Sequence, residues 1–166
     1  MNTRDPGLRL QSLPRWHVEP LDACSEEASL LMRELNAVLA AISGDSGAAR
    51  FDPSRSQAAG SAFLVARDER GRAQGCGALR PLPEGPPGTA EIKRMYARPG
   101  HRGVGAALMA ALLREARRQG YRRVWLETRR LNARALAFYR RQGFTEITGY
   151  GGYAGREDAA CLGLTL

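Results

Sequence analysis

The sequence predicts an α/β fold built on one mixed sheet with helices on both faces. Three observations carry this. Strand-like runs at 62–66, 90–97 and 123–128 alternate with helical-period segments at 25–42 and 104–119. A turn signal, Asp68-Glu69-Arg70-Gly71, joins two strands as an antiparallel hairpin. A strand–helix–strand unit over 90–128 then calls for a parallel pair with a right-handed crossover. Antiparallel and parallel pairs in one chain give a mixed sheet, and each helix must bury its apolar stripe on one face or the other.

Taken in order, residues 1–13 read as a poorly tied arm ahead of a single domain spanning 1–166, and Arg15 to Glu19 as a first strand. Ser25 to Ile42 is a helix, because Leu30, Leu31, Leu35, Val38, Leu39 and Ile42 recur at helical spacing. Asp22 or Ser25 caps it and Gly44 ends it. Ser43 to Gly60, rich in Gly, Ser and Asp with Pro53, is a loop holding one short helical turn near 54–58. Ala62 to Ala66 and Ala73 to Arg80 form the hairpin. Pro81 to Gly88 holds four prolines and is a connection. Ala90 to Ala97 is the next strand, and Val104 to Gln119 a helix that is apolar on nearly all sides at its start and stopped by Gly120. Arg123 to Thr128 is a strand. Asn132 caps a helix running to Gln142, and Gly143 ends it. Phe144 to Thr148 and Ala160 to Leu166 are the last strands, joined by a Gly/Tyr-rich loop.

Composition narrows the function classes. The chain has 166 residues, 43% of them hydrophobic, and a net charge of +8. No apolar run approaches the roughly 18 residues of a membrane span, and Met1 to Gly7 lacks the apolar core of a signal peptide, so a cytoplasmic, non-membrane protein is expected. Cys24, Cys76 and Cys161 are scattered and the only histidines are His17 and His101, so no metal-ligand spacing is present. Lys93 is the sole lysine; the remaining positive charge is arginine. Such a surface attracts anions, whether nucleic acid or a polyphosphate cofactor.

The joint between the fourth strand and the helix after it concentrates the chemistry. Arg98-Pro99-Gly100-His101-Arg102-Gly103-Val104-Gly105-Ala106-Ala107 places glycine and arginine where a helix begins. Free N–H groups of a first turn attract an anion, Gly103 and Gly105 admit a ligand close to the main chain, and Arg102 adds a forked donor for phosphate. A Walker-type loop is excluded, because no Gly-Lys-Ser/Thr follows, and no acidic ribose partner completes a dinucleotide fingerprint.

Arg102-x-x-Gly105-x-Ala107 resembles the Gln/Arg-x-x-Gly-x-Gly/Ala signature of the GNAT superfamily of N-acetyltransferases. Asn132, Phe138-Tyr139 and Gly143-Phe144 resemble the asparagine, aromatic pair and Gly-Phe that follow it there, so the likeness covers about residues 61–148. It implies a GNAT-like acyl-CoA N-acyltransferase fold, its sheet splayed between the fourth and fifth strands. It implies acetyl-CoA as acyl donor and an amine of a small molecule or peptide as acceptor. Arg102, Gly103, Val104, Gly105, Ala106 and Ala107 would then hold the diphosphate, and Met95, Tyr96 and Ala97 the pantetheine arm, with Asn132, Ala135, Phe138 and Tyr139 beside it.

Acyl transfer to an amine needs a base for the ammonium proton and an acid for the leaving thiolate. The resemblance implies Tyr139 as acid. It lies two helical turns after Asn132 and shares a face with Ala135 and Leu136. The resemblance likewise implies Glu91 as base; alternation places Glu91, Lys93 and Met95 on one face, and a plain Glu91–Lys93 ion pair, with a water chain serving as base instead, is the alternative. The loops Ser43 to Gly60 and Gly149 to Asp158, the latter with Tyr150 and Tyr153, would wall the acceptor site or simply form a hairpin tip. His101 reads as solvated, and Cys76 between Gly75 and Gly77 as a close backbone approach rather than a nucleophile. A catalytically inactive acyl-CoA sensor, a basic nucleic-acid-binding module without a base-reading motif, and a homodimer stay open as alternatives.

Overall fold

The computed structural model describes residues 15–166, so the expected arm at 1–13 lies outside the described residues. One seven-stranded sheet runs through it. In chain order the elements are β1 (His17–Pro20), α1 (Glu26–Ser43), β2 (Ala62–Arg67), β3 (Ala73–Pro81), β4 (Thr89–Ala97), α2 (Val104–Arg118), β5 (Arg123–Arg129), α3 (Ala133–Arg141), β6 (Thr145–Ile147) and β7 (Ala159–Thr165). The spatial order is β1-β2-β3-β4-β5-β7-β6. Every neighbouring pair is antiparallel except β4–β5, which gives the mixed sheet that the hairpin and the strand–helix–strand unit predict.

Local chemistry sets the boundaries. Ser25, not Asp22, caps α1: its hydroxyl accepts from Ala28 N at 3.2 Å, while Asp22 accepts from Cys24 N at 2.9 Å. Gly44 closes the helix at φ 74°, a left-handed conformation that glycine adopts without strain. α1 buries Ala28, Leu31 and Met32 against Phe63, Val65, Cys76 and Ala78 on one face of the sheet. On the opposite face α2 buries Val104, Leu108, Met109 and Leu112 against Leu79, Ala90, Ile92, Val124 and Leu126, and α3 adds Leu136, Phe138 and Tyr139 to that layer. The start of α2 is not buried all round as its composition suggests. Ala106 and Ala110 face solvent, where alanine serves as a strong helix former.

Two irregularities in β4 position the site. Opposite Gly77, β4 carries both Arg94 and Met95, a bulge between the Cys76–Tyr96 and Ala78–Lys93 pairs, with Arg94 at φ 56°. The bulge breaks the alternation expected of Glu91, Lys93 and Met95. Met95 turns to the α2 face, where a Cβ on Gly77 would lie 2.6 Å from its sulfur. The second irregularity is that β4 and β5 pair only at Thr89–Arg123, Ala90–Val124 and Glu91–Trp125. Beyond Glu91 they part, and the rest of both strands borders a gap.

Candidate active site

The gap opens into a cleft of about 620 Å³. Ile92 to Ala97 of β4 and Glu127 to Arg129 of β5 form its sides. His101, Arg102, Gly103, Gly105 and Ala106 form one end, and Asp45, Gly47, Arg50 and Tyr153 the other. Asn132, Ala135, Phe138 and Tyr139 of α3 border it as well. Of the sequence-predicted site residues, Met95, Tyr96, Ala97, Arg102, Gly103, Gly105, Ala106, Asn132, Ala135, Phe138 and Tyr139 therefore meet at one cleft. Val104, Ala107 and Glu91 do not line it.

The first turn of α2 is laid out as an anion cradle. Gly103 occupies the cap at φ 87°, and no side chain caps the helix. Among the described residues, the amides of Gly103, Val104, Gly105 and Ala106 have no protein acceptor; the first helical bond is Ala107 N to Gly103 O at 3.0 Å. Those free N–H groups and the helix dipole favour an oxyanion. The Ala107 amide is spent inside the helix, so it cannot serve a phosphate as expected. Val104 is fully buried, and its side chain would touch a Cβ on Gly75 at 2.7 Å. Gly105 has a second role: a Cβ there would meet the Phe138 ring at 3.3 Å, so the missing side chain lets α3 close against the cradle. Trp16, unremarked in the sequence, braces this end. Its indole donates to Arg102 O at 3.0 Å and it meets His101 edge-on at 6.1 Å, so His101 is half-buried rather than simply solvated.

Asn132 caps α3 by accepting from Ala135 N at 3.1 Å. Two turns later, Tyr139 packs edge-on to Phe138 (5.3 Å) and Phe144 (6.1 Å). Burial first, and the Glu127 charge second, hold its phenol above the ordinary tyrosine range. It therefore stays protonated at neutral pH.

Glu91 sits differently from its expected role. It is 1% exposed. Arg80 binds one of its oxygens from Nε at 2.9 Å and Nη2 at 2.7 Å. Tyr150 donates to the other at 2.9 Å, and Lys93 Nζ lies 3.6 Å from it. Its partner is thus more than the single lysine weighed from the sequence. Glu91 belongs to the last residue pair before the strands part, so pairing encloses it.

The carboxylate on the parted strands that faces the cleft is Glu127, two residues beyond that last pair. Arg129 Nη1 donates to its Oε1 at 2.9 Å, and no protein donor among the described residues engages Oε2. Burial, the largest cause, raises its pKa above the ordinary glutamate value despite the opposing charges of Arg129 and Lys93. Sequence reasoning missed it, although one signal was present: alternation of Val124 and Leu126 inward leaves Trp125, Glu127 and Arg129 on the other face.

The far end is lined by both loops expected to wall an acceptor. Tyr150 and Tyr153 are 7% and 6% exposed, which rules out a hairpin tip in solvent. Lys93 Nζ donates to Tyr153 Oη at 2.7 Å. Burial pushes that phenol up to about 12, with Glu127 and Glu91 adding to it, and burial pulls the Lys93 ammonium below the usual lysine range. Cys76 is buried with its thiol pushed up to about 12 by burial. Its flanking glycines are where backbone and side chains crowd, a Cβ on Gly75 lying 2.4 Å from Tyr96 O, as the sequence suggests.

Comparison with known proteins bears on the fold and the family. The chain is 41% identical over 93 residues to an IAA acetyltransferase of Azospirillum brasilense, covering 55% of this chain and 59% of the relative; the match thus spans less than two thirds of that protein. The fold superimposes on an acetyltransferase of the GNAT family from Staphylococcus aureus with a TM-score of 0.74, 18% identity and coverage of 92% of this chain and 99% of the other. It also matches the PaiA N-acetyltransferase from Thermoplasma acidophilum, solved in complex with coenzyme A, with a TM-score of 0.67, 16% identity and coverage of 92% and 99%. At those identities the two structures speak for the fold. The profile of the acetyltransferase (GNAT) family matches residues 28–144, well over half of the sequence, and the chain belongs to that family.

Proposed function

We propose that the protein transfers the acetyl group of acetyl-CoA directly to a primary amine, with Glu127 as base and Tyr139 as acid. One observation carries the reading. The strands part between an unpartnered anion cradle and a buried, half-free carboxylate, so a single cleft joins a phosphate-binding end to a proton acceptor. The residues present fit coenzyme A. Gly103 to Ala106 offer amides to its diphosphate, with Arg102 beside them. The edge of β4 that faces the gap from Ile92 to Ala97 has no strand partner, so Met95, Tyr96 and Ala97 can pair with the pantetheine amides. When bound, the coenzyme supplies the acetyl thioester.

The side chains then divide the work. Glu127 comes from the face that carries Trp125, and Tyr139 from the α2–α3 face. Glu127 takes the ammonium proton of the acceptor, for which its raised pKa suits it. Tyr139 gives its proton to the leaving sulfur. Glu91 positions rather than reacts: with Arg80 and Tyr150 it fixes Lys93 and the wall that Tyr153 forms. The tests are calorimetry with acetyl-CoA and release of free CoA thiol over a panel of amines. Binding with turnover is expected. Binding without turnover of any amine selects the inactive sensor instead, and absence of binding ends the reading.

A further inference from the structure

The acceptor end of the cleft holds more positive charge than it neutralises. Arg50, Lys93, Arg94 and Arg129 line it, against Asp45 and Glu127. Asp45 is shared: Arg50 approaches it at 2.6 Å and Arg129 at 2.9 Å. The nearest carboxylate to Lys93 is Glu91, already bound by Arg80.

Arg94 is the most exposed to this imbalance. It is 8% accessible and makes no ion pair among the described residues. Its guanidinium donates only to neutral oxygens, Ser46 O at 3.1 Å, Met32 O at 3.3 Å and Asn36 Oδ1. Three of its five donors are thus used, and the buried Nε has no partner. The bulge holds this residue at φ 56°, which is uncommon for a residue with a side chain. A desolvated cation without a counter-ion is costly. Arg50 converges on the same spot: a Cβ on Gly47 would lie 3.6 Å from Arg50 Nη2 and 3.7 Å from Arg94 Nη1. Two guanidinium groups therefore flank one small space at the end of the cleft away from the phosphate cradle.

We propose that the acceptor is an amino acid, whose carboxylate is bound between Arg94 and Arg50 while its amine faces Glu127. This rests on the acetyl-transfer reading and adds the class of acceptor. A planar carboxylate suits guanidinium donors, and it supplies the counter-ion that Arg94 lacks. Val38, Leu39 and Ile42 of α1, beside Arg94 on the cleft wall, offer apolar contact to the body of such a molecule. A purely cationic amine is disfavoured, because it would add charge to an end already in positive excess.

The test uses the full chain and triplets of matched acceptors, such as L-leucine, L-leucinamide and isoamylamine, extended across the amino acids. Acetyl-CoA binding is measured first by calorimetry, and CoA thiol release then gives kcat/KM. The expected result is that a free amino acid is favoured at least about tenfold over its amide and its decarboxylated amine. In Arg50→Gln and Arg94→Gln that ratio should fall toward one, mainly through KM. A merely structural loss would lower all three substrates alike and keep the ratio. Arg50→Gln keeps the test informative if Arg94→Gln, which also loosens α1, fails to fold. Turnover of amides or plain amines at equal or better rates overturns the proposal while leaving acetyl transfer intact. So does acetyl-CoA binding with no amino acid acetylated. Failure to bind acetyl-CoA overturns the underlying reading itself.

Discussion

Two glutamates on adjacent strands, Glu91 and Glu127, show how one sheet assigns opposite fates to the same side chain. Glu91 lies where β4 and β5 are still zipped, with both oxygens held by Arg80, Tyr150 and Lys93. Glu127 lies two residues past the last pair, with one oxygen held by Arg129 and the other facing the cleft. The first is buried and satisfied; the second is buried and half satisfied. Desolvation without full compensation is what raises a carboxyl pKa, and it is also what leaves an oxygen free to take a proton. The end of strand pairing, more than residue identity, separates the structural acid from the chemical one.

Four experiments break or sharpen that contrast. The largest effect is expected for Glu127→Gln, a loss of roughly 10²–10⁴ in kcat/KM with acetyl-CoA binding retained. Its pH profile carries a second check. A base must be deprotonated, so wild-type kcat/KM should rise with pH through a value above the ordinary glutamate range, and that limb should vanish in the variant. If Glu91→Gln removes the limb and Glu127→Gln keeps it, the two roles are reversed.

Glu91→Gln should instead act on stability. It leaves Arg80 and Lys93 without their carboxylate, at a cost toward the lower end of about 3–5 kcal/mol because Arg80 is partly in water. Urea unfolding measures this, and an unchanged midpoint would contradict the structural role.

Tyr139→Phe tests the acid. The ring keeps its packing on Phe138 and Phe144, so the midpoint should hardly move, while kcat falls toward the lower end of about 10²–10⁴. A leaving thiolate that needs no acid would show no change. The smallest effect is expected at Asn132→Ala. Loss of the cap on Ala135 N should cost about 1 kcal/mol, read as a modest drop in Tm, with coenzyme affinity weakened only as far as α3 frays.

Much of this was legible in the chain itself. The helical stripe of α1, the Asp68–Gly71 turn and the segment from Arg102 to Ala107 specify local structure through contacts only a few residues apart. They set the elements, the mixed sheet and the cradle to within one or two residues. Asn132 and Gly143 likewise mark the ends of α3 by capping chemistry that is local. The site that these elements enclose was read less completely. Tyr139 could be placed by its spacing from Asn132, and strand alternation marked the face of Glu127, but Asp45, Arg50 and Trp16 gave no local sign of meeting it.

What the sequence determined alone was therefore everything that depends on near neighbours: the order of elements, their caps, and free amides at the head of α2. What only the tertiary structure decided was where β4 and β5 part and where β4 bulges. The bulge is held by distant partners, Met95 by the α2 layer beside Gly77 and Arg94 by α1 above it. That geometry buried Glu91, opened Glu127 to the cleft and left Arg94 without a counter-charge. Burial and pairing are properties of neighbours brought from far along the chain, and no short window of sequence contains them.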